Sequence, residues 1–208
     1  MKNKLRYWWT LLYFIIYLIC FFFIEHFLPV KHYHIISTPL DHMIPFNEWF
    51  IFLYISWFGY IFFSFWYFFF KDKKEYLQMM TYLFTGMTLF VIVSILYPNG
   101  LDIRPHHLDN SNIALILVNA LYKIDTPTNV LPSIHIFNSI GMCLAFYESK
   151  HSTKHLRIGV TLLTIGITLS TFFLKQHGII DAISAMILAV ILYVIVYKKE
   201  IYLFKKRA

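Results

Sequence analysis

Cysteine and charged residues are both scarce in this sequence. The 208 residues include two cysteines, Cys20 and Cys143, and both fall inside long apolar runs. A disulfide framework and a thiolate metal site are therefore excluded. Charged residues make up only 14% of the chain, well below the roughly 25% of a soluble domain, which excludes a water-soluble globular protein.

Short signatures for phosphate or metal binding are missing as well. The chain has no Gly-rich phosphate loop, no CxxC pair and no HExxH helix. His32, His34 and His42 stand in one loop, but no carboxylate or cysteine cluster accompanies them. The sequence therefore predicts neither a metal nor a cofactor.

Apolar residues are what the sequence has in abundance, since 59% of it is hydrophobic and 20% is aromatic. Six apolar runs come close to the ~20 residues that a helix needs to cross the hydrocarbon of a bilayer. The sequence thus predicts an all-α integral membrane protein, a single domain over 1–208 with six transmembrane helices at 7–28, 48–70, 77–97, 135–147, 155–173 and 179–197.

The distribution of Lys and Arg predicts how these spans are oriented. Of the 18 basic residues, 14 fall on one side of the six spans, and the other side holds Lys31, Arg104, Lys123 and Lys175. The positive-inside rule places both termini in the cytoplasm, and an even number of spans agrees. The net charge of +7 therefore reflects orientation in a cell membrane and not a nucleic-acid partner. The Lys-, Ile- and Phe-rich composition suggests that this membrane is bacterial.

The longest stretch between spans, 98–134, then forms an outer loop. Its centre, from Asn112 to Tyr122, is apolar enough for a short helix at the membrane interface. Asp109 to Ser111 are the candidate caps of this helix.

Three polar segments, 97–105, 131–135 and 174–181, coincide with the outer ends of the third, fourth and sixth spans. Pro132 and Ser133 read as a helix start with His135 in the first turn, and the N–H groups of a helix start suit a phosphate dianion. Arg104 and Lys175 are cations that could bind phosphate oxygens. Alone, Ser133 also reads as an ordinary cap, and the two cations as solvated loop charges.

His177 and Asp181 are spaced i,i+4 at the start of the sixth span, so they share a face. The carboxylate could hold one imidazole nitrogen and leave the other as a nucleophile. His135 could then protonate the leaving oxygen. In isolation the pair would read as an ordinary structural contact at a helix end. Combined with the topology, it predicts phosphoryl transfer without a metal.

These segments resemble the three signature motifs of the type 2 phosphatidic acid phosphatase superfamily, which run Lys-x6-Arg-Pro, Pro-Ser-Gly-His and Ser-Arg-x5-His-x3-Asp. The matching residues are Arg104 and Pro105 in the first motif, Pro132, Ser133 and His135 in the second, and Ser170, His177 and Asp181 in the third. The resemblance covers about residues 77–197. It implies a six-helix membrane core, a His177 nucleophile that forms a phosphohistidine, Asp181 to orient it and His135 as general acid.

The chain departs from these motifs at two cations. Tyr97 stands where the first motif has Lys, and Thr171 stands where the third has Arg, while Ile134 replaces the Gly of the second. Lys175 could replace one missing cation. The variant is similar to the branch that contains the inositol phosphorylceramide and sphingomyelin synthases, which transfer a headgroup to an alcohol.

Four functions therefore stay open at this point. The first is a metal-independent phosphatase for a lipid phosphate or pyrophosphate monoester, such as phosphatidate, phosphatidylglycerol phosphate or an isoprenyl pyrophosphate. The second is headgroup transfer to an alcohol at the same site. A transporter and a non-catalytic lipid-binding relative are the others. A transporter predicts internal repeats or ionisable residues at mid-span, and we find neither.

Overall fold

The computed structural model describes residues 7, 10, 12–27, 30 and 32–202. Within them the regular secondary structure is helical, apart from one parallel pair of two-residue strands. The helices are α1 Leu12–Phe27, α2 Pro39–Met43, α3 Ile51–Lys71, α4 Lys73–Leu96, α5 Ile113–Ile124, α6 Ile134–Glu148, α7 Lys154–Phe173 and α8 Ile179–Tyr193. The strands are β1 His34–Ile35 and β2 Asn99–Gly100. A 3-10 turn, Glu48–Phe50, leads into α3, and a π-helical turn, Val194–Lys198, continues α8.

Four helices of the described chain are long and apolar enough to cross a membrane. They span Glu48–Lys71, Lys73–Leu96, Lys154–Phe173 and Ile179–Lys198. This is compatible with the multi-pass membrane protein that the sequence predicts. The predicted first and fourth spans correspond to α1 and α6, which have 16 and 15 residues, fewer than the ~20 needed to cross the hydrocarbon. Part of the predicted span 7–28 and several of the counted basic residues (Lys2, Lys4, Arg6, Lys31, Lys205, Lys206 and Arg207) lie outside the described residues.

The centre of the bundle is a close contact between α4 and α6. Tyr82 of α4 and Phe137 of α6 stack at 4.8 Å between ring centroids, and each ring lies over a glycine of the opposite helix. A Cβ on Gly86 would come within 2.1 Å of Phe137, and a Cβ on Gly141 within 2.2 Å of Tyr82. The Tyr82 hydroxyl also donates to the carbonyl of Ala189 in α8. Small residues thus allow two aromatic rings to lie between the helices.

Polar contacts join the helix ends at one end of the bundle. Ser149, after α6, donates through its hydroxyl to Glu75 at the start of α4. Glu148 accepts from Lys198, at the end of the π-helical turn, at 2.8 Å. The basic residues of the α3–α4 and α6–α7 connections and of the α8 end are therefore grouped at this end.

The opposite end is closed by the connecting segments. Strands β1 and β2 pair there, and Asn99 accepts from the backbone N–H groups of Val130 and Leu131 through its side-chain oxygen, both at 3.0 Å. Glu25, near the end of α1, accepts from Thr126, Thr128 and Asn129. These contacts tie α1 and α4 to the segment that precedes α6.

The predicted short helix in segment 98–134 is present as α5, but its cap differs from the prediction. Asn112 is the N-cap, and its side-chain oxygen accepts from the N–H of Leu115 at 2.9 Å. Asp109 instead binds Ser111 in the loop before the helix. An amide oxygen immediately before the first helical residue reaches the free N–H groups best.

The glycine contacts predict a specific loss of stability. We expect Gly141→Ala to lower the free energy of unfolding by about 1–3 kcal/mol, because the new methyl group must displace the Tyr82 ring. Gly59→Ala is the matched control, since nothing lies within 4 Å of a Cβ there. Thermal unfolding of both variants in detergent measures the difference, and equal unfolding temperatures would contradict this packing.

Candidate functional site

His177 and Asp181 form a buried pair at the start of α8. The Nδ1 atom of His177 lies 2.5 Å from Oδ2 of Asp181, and Asp181 is wholly buried. The other carboxylate oxygen accepts from the N–H of Gly178 at 2.7 Å. The sequence predicts both residues on the helix, whereas His177 lies in the turn before it. Gly178 is the N-cap and α8 begins at Ile179.

His135 lies in the first turn of α6, as predicted, and faces His177. Its Nδ1 atom is 3.2 Å from Nε2 of His177. Ser133 is the N-cap of α6, and its hydroxyl accepts from the N–H of Ile136 at 3.3 Å. The N–H of Ser133 donates to the carbonyl of Asp181 at 3.2 Å. The starts of α6 and α8 are thus directly bonded, and this contact brings the two histidines together.

Two residues that the sequence analysis missed complete the histidine network. Tyr54 of α3 lies 2.8 Å from Nε2 of His135 through its hydroxyl, and it donates to Oδ2 of Asp125 at 2.7 Å. Tyr54 is one of 15 tyrosines in the sequence. Asp125 follows α5 in a part of the segment 98–134 that carries no recognisable motif. Neither residue belongs to the three polar segments, so the sequence carries no signal for them.

With Asp125 and Asp181 as carboxylates, the hydrogen-bond partners indicate where the protons of this network lie. Asp181 only accepts as a carboxylate, so Nδ1 of His177 carries a hydrogen. Tyr54 donates to Asp125, so its oxygen accepts from Nε2–H of His135. The two remaining nitrogens, Nε2 of His177 and Nδ1 of His135, face each other, and a hydrogen bond between them requires one shared proton.

Arg104 contacts the site through Gln176. Its guanidinium donates to Oε1 of Gln176 and lies over the ring of Tyr122, 4.3 Å from the centroid. Burial lowers the pKa of Arg104 from its usual value, and the charge of Asp125 opposes this effect. Arg104 is therefore placed beside the histidine network, with Gln176 between them.

Lys175 and Ser133 make their contacts with groups other than the two histidines. The ammonium group of Lys175 donates to the carbonyl oxygens of Asp41, at 2.6 Å, and Ile44. Its backbone adopts φ 54°, in the left-handed region, and burial lowers the pKa of its side chain while Asp41 opposes the shift. Ser133 is wholly buried. Neither residue lines the cavity described below.

The two positions where the resemblance expects cations carry other contacts. The ring of Tyr97 stacks on His34 at 4.4 Å. Thr171 is wholly buried, and its carbonyl accepts from the N–H groups of Gln176 and His177 at 2.9 and 3.2 Å. Thr171 therefore shapes the turn that presents His177.

A cavity of about 380 Å³ opens beside the two histidines. Its polar wall includes Tyr54, Asp125, Thr128, Asn129, His135, Asn138, Gln176 and His177. The indole of Trp57 contacts the His135 ring in a tilted arrangement, 4.5 Å between centroids. The apolar wall of the cavity comes from α1, α3 and α4, with further side chains from α5 and the start of α6. Phe14, Phe58 and Ile61 also line a neighbouring groove of about 470 Å³, whose other walls are aromatic. The cavity thus lies next to an apolar groove along α3.

Comparison with protein-family models, with curated proteins and with solved structures found no match. Within the described residues, no group of three or more His, Cys, Asp or Glu side chains is placed to hold a metal ion.

The contacts of Lys175 distinguish a structural role from phosphate binding. We expect Lys175→Met to lower the free energy of unfolding by about 1–3 kcal/mol, because the buried carbonyls of Asp41 and Ile44 lose a charged donor. Lys123→Met, at an exposed position of α5, is the control and should leave stability unchanged. Unfolding in detergent measures both variants. Unchanged stability with weaker binding of a lipid phosphate would instead support the phosphate-binding role.

Proposed function

We propose that this chain is a metal-independent lipid phosphate phosphatase that forms a phosphohistidine on His177. The observation that carries the proposal is the geometry of His177. Its Nδ1 is held by Asp181 at 2.5 Å, while its Nε2 faces His135 at 3.2 Å beside a cavity that both histidines line. A carboxylate-held imidazole with its second nitrogen facing a cavity is the arrangement that a nucleophilic histidine needs.

The reaction proceeds in two displacement steps. A phosphoryl group enters between the two histidines, and Nε2 of His177 attacks phosphorus while the bond from phosphorus to the lipid oxygen breaks. His135 gives its shared proton to that oxygen, so the lipid leaves as an alcohol. Water then attacks the phosphohistidine, releases phosphate and returns a proton to His135. Asp181 compensates the positive charge that develops on the His177 ring.

The surroundings of the cavity support a lipid as the substrate. The aromatic groove that shares Phe14, Phe58 and Ile61 with the cavity is lined by apolar side chains apart from Tyr76. Several of these side chains are exposed: the exposed fractions of Phe58, Phe62 and Trp66 are 59, 68 and 60%. A hydrocarbon chain in this groove would keep the phosphoryl group at the histidines, since apolar surface is buried on both partners.

The placement of charge supports an active site on the extracytoplasmic face. The basic residues of the helix connections are grouped at the end of the bundle opposite His177, and the positive-inside rule assigns that end to the cytoplasm. We extend the proposal to six spans, with α1 and α6 as the additional ones, and to a helical core like that of the type 2 phosphatidic acid phosphatase superfamily. A local thinning of the bilayer would accommodate the 15 residues of α6.

Headgroup transfer to an alcohol is the second candidate. The replacement of two motif cations by Tyr97 and Thr171 favours it, because this departure is similar to the inositol phosphorylceramide and sphingomyelin synthase branch. The first displacement step is shared, and an alcohol replaces water in the second.

The first test is phosphate release from a panel of lipid phosphates in detergent with excess EDTA. We expect release by the unchanged protein and a loss of at least about 1,000-fold in His177→Ala, because the covalent intermediate forms on the imidazole that this variant removes. His107→Ala, an exposed loop position, is the matched control and should retain activity. Absence of release from the folded protein would overturn hydrolysis, and product formation only with an added alcohol would establish transfer.

The proton positions predict a bell-shaped dependence of kcat/KM on pH. Activity falls in acid because a second proton on the histidine pair occupies Nε2 of His177. It falls in alkali because loss of the shared proton leaves His135 unable to protonate the leaving oxygen. Initial rates between about pH 5 and 9 measure the profile, with stability checked at each pH. A flat profile would contradict the roles of both histidines.

A further inference from the structure

A continuous chain of hydrogen bonds runs through the two histidines and ends in a carboxylate on each side. One arm is Asp181 to His177, and the other runs from His135 through the Tyr54 hydroxyl to Asp125. Tyr54 is 1% exposed. The motif resemblance accounts for the first arm only, and the second is built from α3 and from the residue after α5.

The second arm determines which nitrogen of His135 faces His177. Because Tyr54 donates its hydrogen to Asp125, its oxygen can only accept from His135, which fixes hydrogen on Nε2 of that ring. The free position of His135, Nδ1, is then directed at His177. Without this contact, either nitrogen could carry the hydrogen of a neutral ring.

The same arm places a negative charge where a protonated His135 needs it. Asp125 lies two hydrogen bonds from the imidazole, and Asp181 lies one hydrogen bond from His177. With one shared proton, the two carboxylates flank a histidine pair of single positive charge. Within the described residues, the other side chains that contact the His135 ring are Trp57 of α3, whose indole is uncharged, and His177. Arg104 interacts electrostatically with Tyr54 and Asp125.

We propose that Tyr54 and Asp125 are positioning residues that keep a hydrogen on Nε2 of His135 and favour its protonated form, with Nδ1–H directed at the group that leaves phosphorus. Tyr54 orients the ring, and Asp125 stabilises its charge through the tyrosine hydroxyl. This inference rests on the proposed function, because it concerns the protonation state of the proposed general acid, His135, before substrate binds. The second arm, formed by Tyr54 and Asp125, contacts His135 and not the reacting atoms.

The test combines a spectroscopic measurement with a rate measurement. Protein labelled with 15N at histidine is examined by NMR in detergent, and His177→Gln assigns the two site histidines. We expect Nε2 of His135 to carry a hydrogen in the unchanged protein, and we expect the ring to bind its second proton on Nδ1 as the pH falls. In Tyr54→Phe and Asp125→Asn, which preserve shape, His135 should lose a proton at a pH lower by about one unit or more, since a hydrogen bond to a charged group is removed.

The rate profile should follow the spectroscopic change. The alkaline limb of kcat/KM against pH should move to lower pH in Tyr54→Phe and Asp125→Asn by the same interval, and Asp125→Glu should restore it in part. Tyr60→Phe is the matched control. It also removes a tyrosine hydroxyl from α3, but that hydroxyl contacts Thr164 and not the site. It should leave both measurements unchanged.

Two outcomes separate this inference from the proposed function. An active protein in which Tyr54→Phe and Asp125→Asn change neither the His135 signals nor the alkaline limb would overturn the inference alone. A neutral His135 that carries its hydrogen on Nδ1 would overturn it as well. Protonated His135 signals that respond to both variants, in a protein without phosphate release, would support the hydrogen-bonded arm and reject the enzymatic function.

Discussion

The buried carboxylate of Asp181 is the group on which the arrangement of this site depends. It holds the His177 ring through one oxygen and the first N–H of the α8 start through the other, and its backbone carbonyl accepts from the residue that caps α6. One residue thus fixes a side chain and joins two helix starts. A buried charge is costly unless it is fully hydrogen-bonded, and here each carboxylate oxygen has a donor. Removing Asp181 would therefore disturb the proposed nucleophile and the relative position of α6 and α8 together, so deletion alone would not separate its proposed catalytic role from its role in folding.

A second carboxylate, Asp41, supports the same helix start from outside. One of its oxygens accepts from the N–H of Ile179 at 2.8 Å, and the other accepts from Thr38. A Cβ on Gly178 would lie 3.1 Å from the Asp41 carboxylate, which explains glycine at the N-cap of α8. Lys175 binds the carbonyl of the same residue. Residue Asp41 of α2 is therefore bonded to the turn that presents His177, and two carboxylates share the capping of the helix that begins directly after this turn.

The sequence predicted the residues whose roles follow from local pattern. His177 and Asp181 were predicted to share a face because of their spacing, and His135 was predicted in a first helical turn after Pro132 and Ser133; the structure brings all three side chains together. Local pattern did not reveal Tyr54 or Asp125, since α3 contains many aromatic residues and the partner of each one depends on how helices pack. Lys175 looked like a phosphate cation by position, but its left-handed backbone directs the ammonium group to α2. The four long spans followed from hydropathy, and so did a short fourth span, which was predicted at 135–147 and corresponds to the 15-residue α6. The predicted first span, 7–28, lies partly outside the described residues.

The groove along α3 bears on how a substrate would arrive. Under the proposed function, a lipid whose chain occupies the groove beside the cavity would enter by lateral diffusion within its leaflet, without passing through water. The encounter rate would then depend on the mole fraction of substrate among the surrounding lipids and not on its bulk concentration. Soluble esters with the same phosphoryl group would be disfavoured simply because they do not accumulate in the membrane plane. Selectivity for lipids would thus arise from partitioning, and a tightly fitted tail pocket would not be needed.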